Sequence, residues 1–495
     1  MKKMFKTIAT SAIVLGMMSQ ATMAADYLVS LNSKMAAFLE SRAYAAKMGA
    51  TAEFRKMEGV AYDRKNNMVY IAMSAIDRGM SDDKGDIKLP QNKCGIVYAL
   101  PLNSKYNANK MIPEVIGGKY NKKNMDRCDV NKIANPDGVD VDSQGNVWIA
   151  EDTSNHQNNV LWKWDVKRKK LMRFATVPKK AEITGLHITA NDEIFFNVQH
   201  PSAMSKFPYN RAVVGVINGF KATDSFRELK VPKGDDMLDV KVAKGSYQVL
   251  SRVGEQIPNG VYANRFGQIN NMDGTLKIVC NHPDGNMYLP INSNGSFGYL
   301  YTNYECRPGG VVKTYIRNNG KSWEVLEGEN VDFASVNGTW NNCNASVTPW
   351  NTGLTSEEYE PKATKSGWKK NVQDVTQYLG RQANPYHYGY PVELIPDSRG
   401  KVVTTNLVKH YAMGRMSYEM SKVMPDNRTV YSGDDGTNVV LFKFVADREQ
   451  KLDAGTLYAA KVKQNSDQSL SIKWVELGRS NNAEVYEAIQ AISLR

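Results

Sequence analysis

Four acidic residues each begin a short repeated pattern in this sequence. In every copy an apolar run follows the acid, and a polar turn leads into a second apolar run, most clearly at 58–72 and 137–150. The four acids are Glu58, Asp137, Glu182 and Glu419. If the copies fold alike, these carboxylates converge at one place, where multivalent cations relieve their mutual repulsion. The alternative is that the acids cap separate turns on the surface.

A thiol adds a second kind of metal ligand. Five cysteines cannot all pair, although an oxidising compartment favours pairing. We expect one pair between Cys94 and Cys128, which flank a polar loop, and another between Cys280 and Cys306, which flank a hairpin region. Cys343 is then the odd thiol. A thiolate selects iron or zinc, whereas carboxylates suit calcium; the alternative is that Cys343 is buried and inert.

The elements that must position these residues are short strands. Turn residues separate many short β-rich runs, and helical patterns are confined to 34–48 and 483–492. Many strands without alternating helices favour a sandwich, a barrel or a propeller, and the repeated unit favours a propeller. We therefore expect an all-β fold, a six-bladed β-propeller with loop insertions and a few short helices. Its inner strands would surround a central channel and bring the four acids to the channel mouth.

The first residues have the pattern of a secretory signal peptide. Three lysines precede an apolar stretch over 8–18, and a small-x-small cleavage pattern ends at Ala24 or Ala25. The stretch is short for a membrane span, and no later stretch is long and apolar enough. We therefore expect a signal peptide over 1–25, a single propeller domain over 26–495, no membrane span, and a periplasmic or secreted protein.

The charge balance is basic. Subtracting the three lysines of the signal peptide from the formal charge of +12 leaves the mature chain near +9. A basic surface would attract anionic substrates, although the dispersed charges could simply maintain solubility. The sequence contains no nucleic-acid-binding motif, so we expect no nucleic-acid partner.

The segment over 339–358 carries a family resemblance. It contains Asn342-Cys343, then Thr348-Pro349-Trp350, then Leu354-Thr355 followed by Glu357-Glu358, and this order resembles that of the PhoX family of bacterial alkaline phosphatases. Further motifs that resemble the family lie at 135–137, 146–150, 182–185, 197–201, 281–285, 303–305, 433–435, 442–445 and 452–458. Each motif is weak alone, but together they are specific.

The resemblance implies an enzyme that hydrolyses small phosphate monoesters at a mixed iron and calcium cluster in a propeller channel. It implies that Cys343 and Glu357 hold Fe³⁺. It also implies that five acids hold Ca²⁺ or bridge the metals, namely Glu358, Glu419, Glu58, Asp137 and Glu182. Clustered cations would bind the oxygens of a dianionic phosphate ester, so a serine nucleophile is not needed. We expect such an enzyme to act as a monomer.

Three features depart from the family pattern. Lys56 stands where the family has an arginine that grips phosphate, and a lysine cannot bind bidentately, although the neighbouring Arg55 could substitute. The acid Glu419 is kept, but its two neighbours differ. The motif order is also rotated, as in a circular permutation, which a closed ring of blades tolerates if the termini lie close together.

A propeller of another class is the competing interpretation. It would be either a calcium-dependent, lactonase-like hydrolase or a non-catalytic module that keeps calcium for structure. The fold alone cannot distinguish these functions from a phosphatase. Cys343 distinguishes them, because a purely calcium-binding site has no need of a thiolate.

Overall fold

The computed structural model describes residues 28–259, 264–397 and 404–492. The predicted signal peptide over 1–25 therefore lies outside the described residues. Four-stranded and larger antiparallel sheets form six blades, which confirms the predicted six-bladed β-propeller. A short strand, β1 (Phe54–Arg55), precedes the first blade.

The first three blades follow one another along the chain. Blade one contains β2 (Met57–Asp63), β3 (Met68–Met73), β4 (Ile96–Pro101) and β5 (Lys110–Ile116). Blade two contains β6 (Pro136–Val141), β7 (Val147–Glu151), β8 (Val160–Asp165) and β9 (Lys170–Thr176). Blade three contains β10 (Glu182–Ile188), β11 (Ile194–Gln199), β12 (Val213–Asn218) and β14 (Ser246–Arg252), while β13 (Lys241–Val242) pairs with the outer edge of blade two.

The last three blades follow a small hairpin of β15 (Gln268–Asn270) and β16 (Leu276–Val279). Blade four contains β17 (Pro283–Pro290), β18 (Phe297–Tyr304), β19 (Gly310–Asn318) and β20 (Trp323–Asn330). Blade five contains β21 (Ala345–Val347), β22 (Gly353–Thr355), β23 (Val392–Asp397) and β24 (Thr404–Lys409). Blade six contains β25 (Tyr418–Val423), β26 (Thr429–Asp434), β28 (Phe442–Arg448), β29 (Lys451–Gln464) and β30 (Leu470–Asn481), while β27 (Thr437–Val439) pairs with β1.

The structure also contains several short helices. Within the described residues, the α-helices are α1 (Ala36–Leu39), α2 (Ser41–Lys47), α3 (Gln373–Leu379) and α4 (Asn482–Ala491). Single 3₁₀ turns lie at Arg78–Met80, Gly234–Leu238, Ala334–Val336, Lys370–Val372, Pro385–His387 and Tyr411–Met413. The two regions with a helical sequence pattern therefore form helices, as predicted.

The ring closes through its inner strands. The strands β2, β6, β10, β17, β21 and β25 pack side by side in that order, and β25 returns to β2. At the outer edge β5 pairs with β30 through Met111 opposite Leu470, which joins the first and last blades into one nine-stranded sheet. Each blade comes from one continuous stretch of chain, so its hydrogen bonds do not depend on which blade is first.

Apolar contacts between the blades form the core. A separate hydrophobic cluster fills each space between neighbouring blades, including that between blade six and blade one. Central strands such as β7 and β11 are buried along their whole length because both of their faces meet another blade. This is why these segments appear in the sequence as continuous apolar runs rather than alternating ones.

The two ends of the described chain pack on the same segment. Asn482 of α4 accepts a hydrogen bond from the backbone N–H of Ala412 at 2.9 Å. Ser41 of α2 accepts one from the N–H of Arg415 at 2.8 Å. The close ends are what a circular permutation of a closed ring requires.

The cysteines pair as expected. The structure has disulfides between Cys94 and Cys128 and between Cys280 and Cys306, and Cys343 is free and buried. The first disulfide ties blade one to the loop that precedes blade two.

The same irregularity positions the acids of several inner strands. Four of them have a register irregularity that includes the second residue of the strand, and these residues are Glu58, Asp137, Asp284 and Glu419. A bulge of this kind bends a strand and redirects a side chain, here at the end that meets the neighbouring blades. In the first three cases a glycine follows the acid.

The glycines differ in how closely the next blade approaches. A Cβ on Gly59 would lie 2.8 Å from the carbonyl oxygen of Asp137 and 2.8 Å from the backbone N of Val139. A Cβ on Gly138 would meet its nearest neighbour, the Cβ of Ala150, at an ordinary 3.4 Å. Blade two therefore leaves no room for a side chain at Gly59 but does leave room at Gly138.

We predict that Gly59→Ala lowers the free energy of unfolding by about 1–3 kcal/mol, because backbone atoms of blade two must move. Gly138→Ala is the matched control and should not lower it, because the added methyl group meets only ordinary contacts and alanine reduces the entropy of the unfolded chain. Urea denaturation of both variants measures the difference, and equal losses would contradict the close blade contact.

Candidate metal centre

Three of the four repeat acids and the free thiol meet at one end of the channel. Ligand atoms of Glu58, Asp137 and Glu419 lie within 4.8 Å of one another. The same holds for Cys343, Glu358 and Glu419. Because both groups share Glu419, residues from four different blades or their connections form one continuous set.

Two further acids extend this set, and the sequence-based site prediction missed them. Asp284, Glu305 and Cys343 form a third group with ligand atoms within 4.8 Å. The sequence could have indicated Asp284 as a ligand, because Pro283-Asp284-Gly285 repeats the Pro-Asp-Gly over 136–138. Glu305 follows the end of β18, which is not an inner strand, so the repeat could not reveal it. The seven residues are called the acid cluster below: Glu58, Asp137, Asp284, Glu305, Cys343, Glu358 and Glu419.

An unusual backbone conformation precedes four of the ligand positions predicted from the sequence. The residue two places before the predicted ligand has a positive φ at Lys56 (46°), Asn135 (43°), Lys180 (74°) and Asn341 (44°). These residues precede Glu58, Asp137, Glu182 and Cys343, respectively. A left-handed residue turns the chain sharply before the inner strand, and residues other than glycine adopt it at a cost. The repeat seen in the sequence therefore includes a shared entry turn.

The thiol lies among carboxylates. Sγ of Cys343 is 3.1 Å from Oε2 of Glu419 and 3.7 Å from Oδ2 of Asp284. Burial, followed by the nearby acids, raises the pKa of the Cys343 thiol well above its usual value. A thiolate at this position therefore requires a cation beside it.

The acids face the same electrostatic problem. Burial raises the pKa of Asp137, Asp284, Glu358 and Glu419 well above ordinary values, and neighbouring carboxylates raise each pKa further. Within the three described ranges, Lys56 is the one lysine or arginine that forms an ion pair with the acid cluster. One ammonium group cannot balance six carboxylates, four of which are buried.

Several oxygen atoms here lack a partner. Oε1 of Glu419 and both carboxylate oxygens of Asp435 are buried and accept no hydrogen bond from any described residue. Asp435 lies beside the acid cluster, with Oδ2 3.6 Å from Nζ of Lys56. Buried oxygen atoms without a donor are costly unless they bind a cation. Carboxylates with one thiol form a donor set that fits calcium and iron, respectively.

Glu357 lies outside the acid cluster, although the family resemblance implied that it holds iron. Its Oε1 accepts from Nζ of Lys409 at 2.9 Å and from Thr339 at 3.0 Å. Its Oε2 accepts from the backbone N–H groups of Gly389 at 2.7 Å and Tyr390 at 3.1 Å. These bonds occupy both oxygens, so Glu357 holds the chain in place directly before Glu358.

Glu182 also lies apart from the acid cluster, near the channel mouth. Its Oε2 is 2.8 Å from Nδ1 of His200, and Nε2 of His200 contacts Nδ1 of His282. Glu182 is partly exposed and lines a cavity with Asp152. Burial, followed by the charge of Glu182, raises the pKa of Asp152 to about 8.

The two basic residues predicted to grip phosphate differ in their contacts. Nζ of Lys56 is 2.9 Å from Oε1 of Glu58. Burial opposes the charge of Lys56, but Glu58 and Asp435 raise its pKa above the usual lysine value. Arg55 instead binds Asp77 at 3.1 Å and the carbonyl oxygen of Gly436 at 3.0 Å. Lys56 thus reaches the acid cluster, whereas the guanidinium of Arg55 is held by other groups.

Comparison with known proteins identifies the family. The family model for alkaline phosphatase PhoX matches residues 21–202 and 312–495, which is most of the chain. The chain belongs to the PhoX family. This confirms the resemblance carried by the motifs around Cys343.

Solved structures similar to this PhoX family member include Pseudomonas fluorescens PhoX in complex with vanadate, a transition state analogue. That match has 19% identity and a TM-score of 0.35, and covers 46% of this chain and 54% of that chain. The match thus spans about half the length of that protein.

Two gluconolactonase structures are also similar. The gluconolactonase from Xanthomonas campestris has 10% identity and a TM-score of 0.37, with 79% of this chain and 90% of that chain covered. The periplasmic gluconolactonase of Pseudomonas aeruginosa has 9% identity and a TM-score of 0.38, with 86% of each chain covered. None of the curated proteins matches this sequence.

We predict that Lys409→Met lowers the free energy of unfolding by about 3–5 kcal/mol, because it leaves the buried charge of Glu357 uncompensated. Lys461→Met is the matched control. Lys461 also pairs with an acid, Asp86, at 2.6 Å, but its side chain is 42% exposed, so we expect a loss below about 1 kcal/mol. Chemical denaturation measures both; a similar small loss in each variant would show that Glu357 does not need its partner.

Proposed function

We propose that this protein is an exported, metal-dependent phosphatase that hydrolyses phosphate monoesters at the acid cluster. One observation carries the proposal. The acid cluster gathers six acids and a free thiol at one end of the channel, with buried oxygens that have no described partner, in a member of the PhoX family. Such a site is built for cations, and cations attract and activate the dianionic phosphate group.

The ligand set divides by chemistry. We infer that iron is held where the thiol of Cys343 lies beside Glu358 and Glu419, because a thiolate is the soft ligand here. Calcium would be held by Glu58, Asp137 and Glu419, which offer only oxygen. Asp284, Glu305 and Asp435 are further oxygen ligands for either group. When bound, these ions would supply Lewis-acid activation of the ester and of water.

Lys56 orients the site and binds phosphate. Its ion pairs with Glu58 and Asp435 fix the ammonium at the edge of the acid cluster. An ammonium has three donors, so the short contact with Glu58 leaves donors free for a phosphate oxygen. A lysine contacts phosphate as a point charge and not through a bidentate fork. Because Asp77 and Gly436 hold the guanidinium of Arg55, we assign Arg55 the lesser part in binding phosphate.

Glu182 and Glu357 have supporting roles in this proposal. Glu182 orients His200 at the channel mouth and adds negative charge beside Asp152. Glu357 fixes the backbone next to Glu358 through Lys409 and the N–H groups of blade five and its loop. We therefore assign Glu358, and not Glu357, as the ligand from this pair.

Export agrees with the covalent structure. The structure contains two disulfides. Disulfides persist in oxidising compartments outside the cytoplasm. Among the described helices, none has the length and apolar character needed to cross a membrane. The two disulfides and the signal-peptide pattern over 1–25 support a periplasmic or secreted enzyme.

We predict that the protein hydrolyses p-nitrophenyl phosphate, that a chelator abolishes the activity, and that iron and calcium together restore it. Cys343→Ala should reduce bound iron to background and lower kcat by at least about 100-fold, because the remaining carboxylates prefer hard cations. Metal analysis and initial rates measure both effects. Iron-free wild-type protein that stays inactive after reconstitution would contradict the proposal and favour a calcium-binding propeller.

The neighbouring glutamates give a separate test. We predict that Glu358→Gln lowers the metal content and the thermal stabilisation by added calcium. That stabilisation reaches about 2.7 kcal/mol at one hundred times Kd in the wild type. Glu357→Gln should destabilise the fold but leave the metal content of the folded fraction unchanged. The opposite pattern would return the ligand role to Glu357.

A further inference from the structure

A polar cavity adjoins the acid cluster over blades one to three. It encloses about 590 Å³ and shares Lys56, Ser74, Asp152 and Glu182 with the surroundings of the cluster. Both Nζ of Lys56 and Oγ of Ser74 lie within 3.0 Å of Oε1 of Glu58. An ester whose phosphate binds Lys56 and the cations that Glu58 would help to hold would therefore extend its alcohol part into this cavity.

The chemistry of the cavity restricts that alcohol. Met125 is the one apolar side chain among the described residues that line it, and no aromatic ring lines it apart from the imidazole of His156. Pockets for aryl, lipid or nucleobase groups are mainly apolar and aromatic. The charges are mixed, since Asp152 and Glu182 lie beside three lysines, Lys56, Lys179 and Lys180. The cavity therefore suits a neutral, hydrophilic group that both donates and accepts hydrogen bonds.

The rim of the cavity is held rigid by its own bonds. Oδ1 of Asn135 accepts from Oγ1 of Thr153 at 2.6 Å and from Nδ2 of Asn155 at 2.7 Å. The loop that carries Cys128 also binds the rim, because Arg127 donates to Ser154 at 2.8 Å and the N–H of Cys128 to the carbonyl of Asn155 at 3.2 Å. A prearranged rim binds hydroxyl groups with less loss of entropy.

Donors and acceptors are both present at this rim. Nζ of Lys179 is held at 2.9 Å by Oε1 of Gln157, which uses one of its three donors. The hydroxyl of Ser154 accepts from Arg127 and keeps its own hydrogen to donate. Asp152 offers carboxylate oxygens beside them. Carboxylate, ammonium and hydroxyl groups in one cavity match the hydroxyl groups of a polyol.

We propose that this cavity is the leaving-group subsite and that it selects phosphate monoesters of small polyols, such as sugar phosphates. The inference rests on the proposed phosphatase function. Hydrolysis breaks the ester P–O bond and adds the hydroxyl of water to phosphorus, while the polyol leaves with the other proton of that water. Lys179 and Ser154 donate to the polyol, and Asp152 accepts from it.

The test compares substrates on the metal-loaded enzyme. The readout is the ratio of kcat/KM for glucose 6-phosphate to kcat/KM for p-nitrophenyl phosphate. Lys179→Met should lower this ratio about tenfold, because it removes a charged donor to the sugar, and Ser154→Ala should lower it about threefold. The matched control, Gln373→Ala, changes an exposed residue at the start of α3, and should leave the ratio within twofold. A ratio unchanged in Lys179→Met would overturn the proposal.

A binding experiment distinguishes failure of the subsite proposal from failure of the phosphatase proposal. If p-nitrophenyl phosphate is not hydrolysed, the phosphatase proposal fails, and calorimetry with the phosphonate analogue of glucose 6-phosphate decides the subsite. About tenfold weaker binding to folded Lys179→Met than to wild type supports a polyol subsite. Equal binding, or no binding to wild type, overturns it.

Discussion

Mutual repulsion among buried carboxylates is the constraint on which the rest of this structure depends. Six acids and a thiol lie together at one end of the propeller channel, where burial raises the pKa of all seven groups above their usual values. The arrangement persists because the ring holds it: each inner strand is pinned between two others, and apolar clusters fill every gap between blades. The apolar contacts between blades thus hold in place a polar centre that would otherwise disperse.

Two levels of support keep the ligands in position. Entry turns and bulges in the inner strands direct acids such as Glu58 and Asp137 into the channel. Behind them, the Glu357–Lys409 pair fixes the backbone next to Glu358. A buried pair of this kind contributes little net stability but is costly to break, which suits a positioning role. The same two adjacent glutamates therefore serve different purposes, one in the scaffold and one in the acid cluster.

Much of the fold and part of the site could be predicted before the structure. The repeated units of acid, strand, turn and strand predicted the propeller. The odd number of cysteines predicted one free thiol, assigned to Cys343, beside two disulfides. The structure confirms both predictions. The repeat also brought Glu58, Asp137 and Glu419 into one set. It could not find Glu305, which follows the second strand of its blade. It also did not include Glu357 and Glu358, which meet different partners because adjacent residues in an extended chain point to opposite sides.

The sequence alone determined the residue types, their repeat and therefore the ring, because local patterns of apolar runs and turns are encoded residue by residue. Only the tertiary structure decided which acids share cations and which are neutralised by other partners. Lys409 reaches Glu357 and Asp77 reaches Arg55 across separate parts of the chain. Such pairings depend on distances between blades, which no local pattern records, and they determine whether a charge is free to bind a metal or a phosphate.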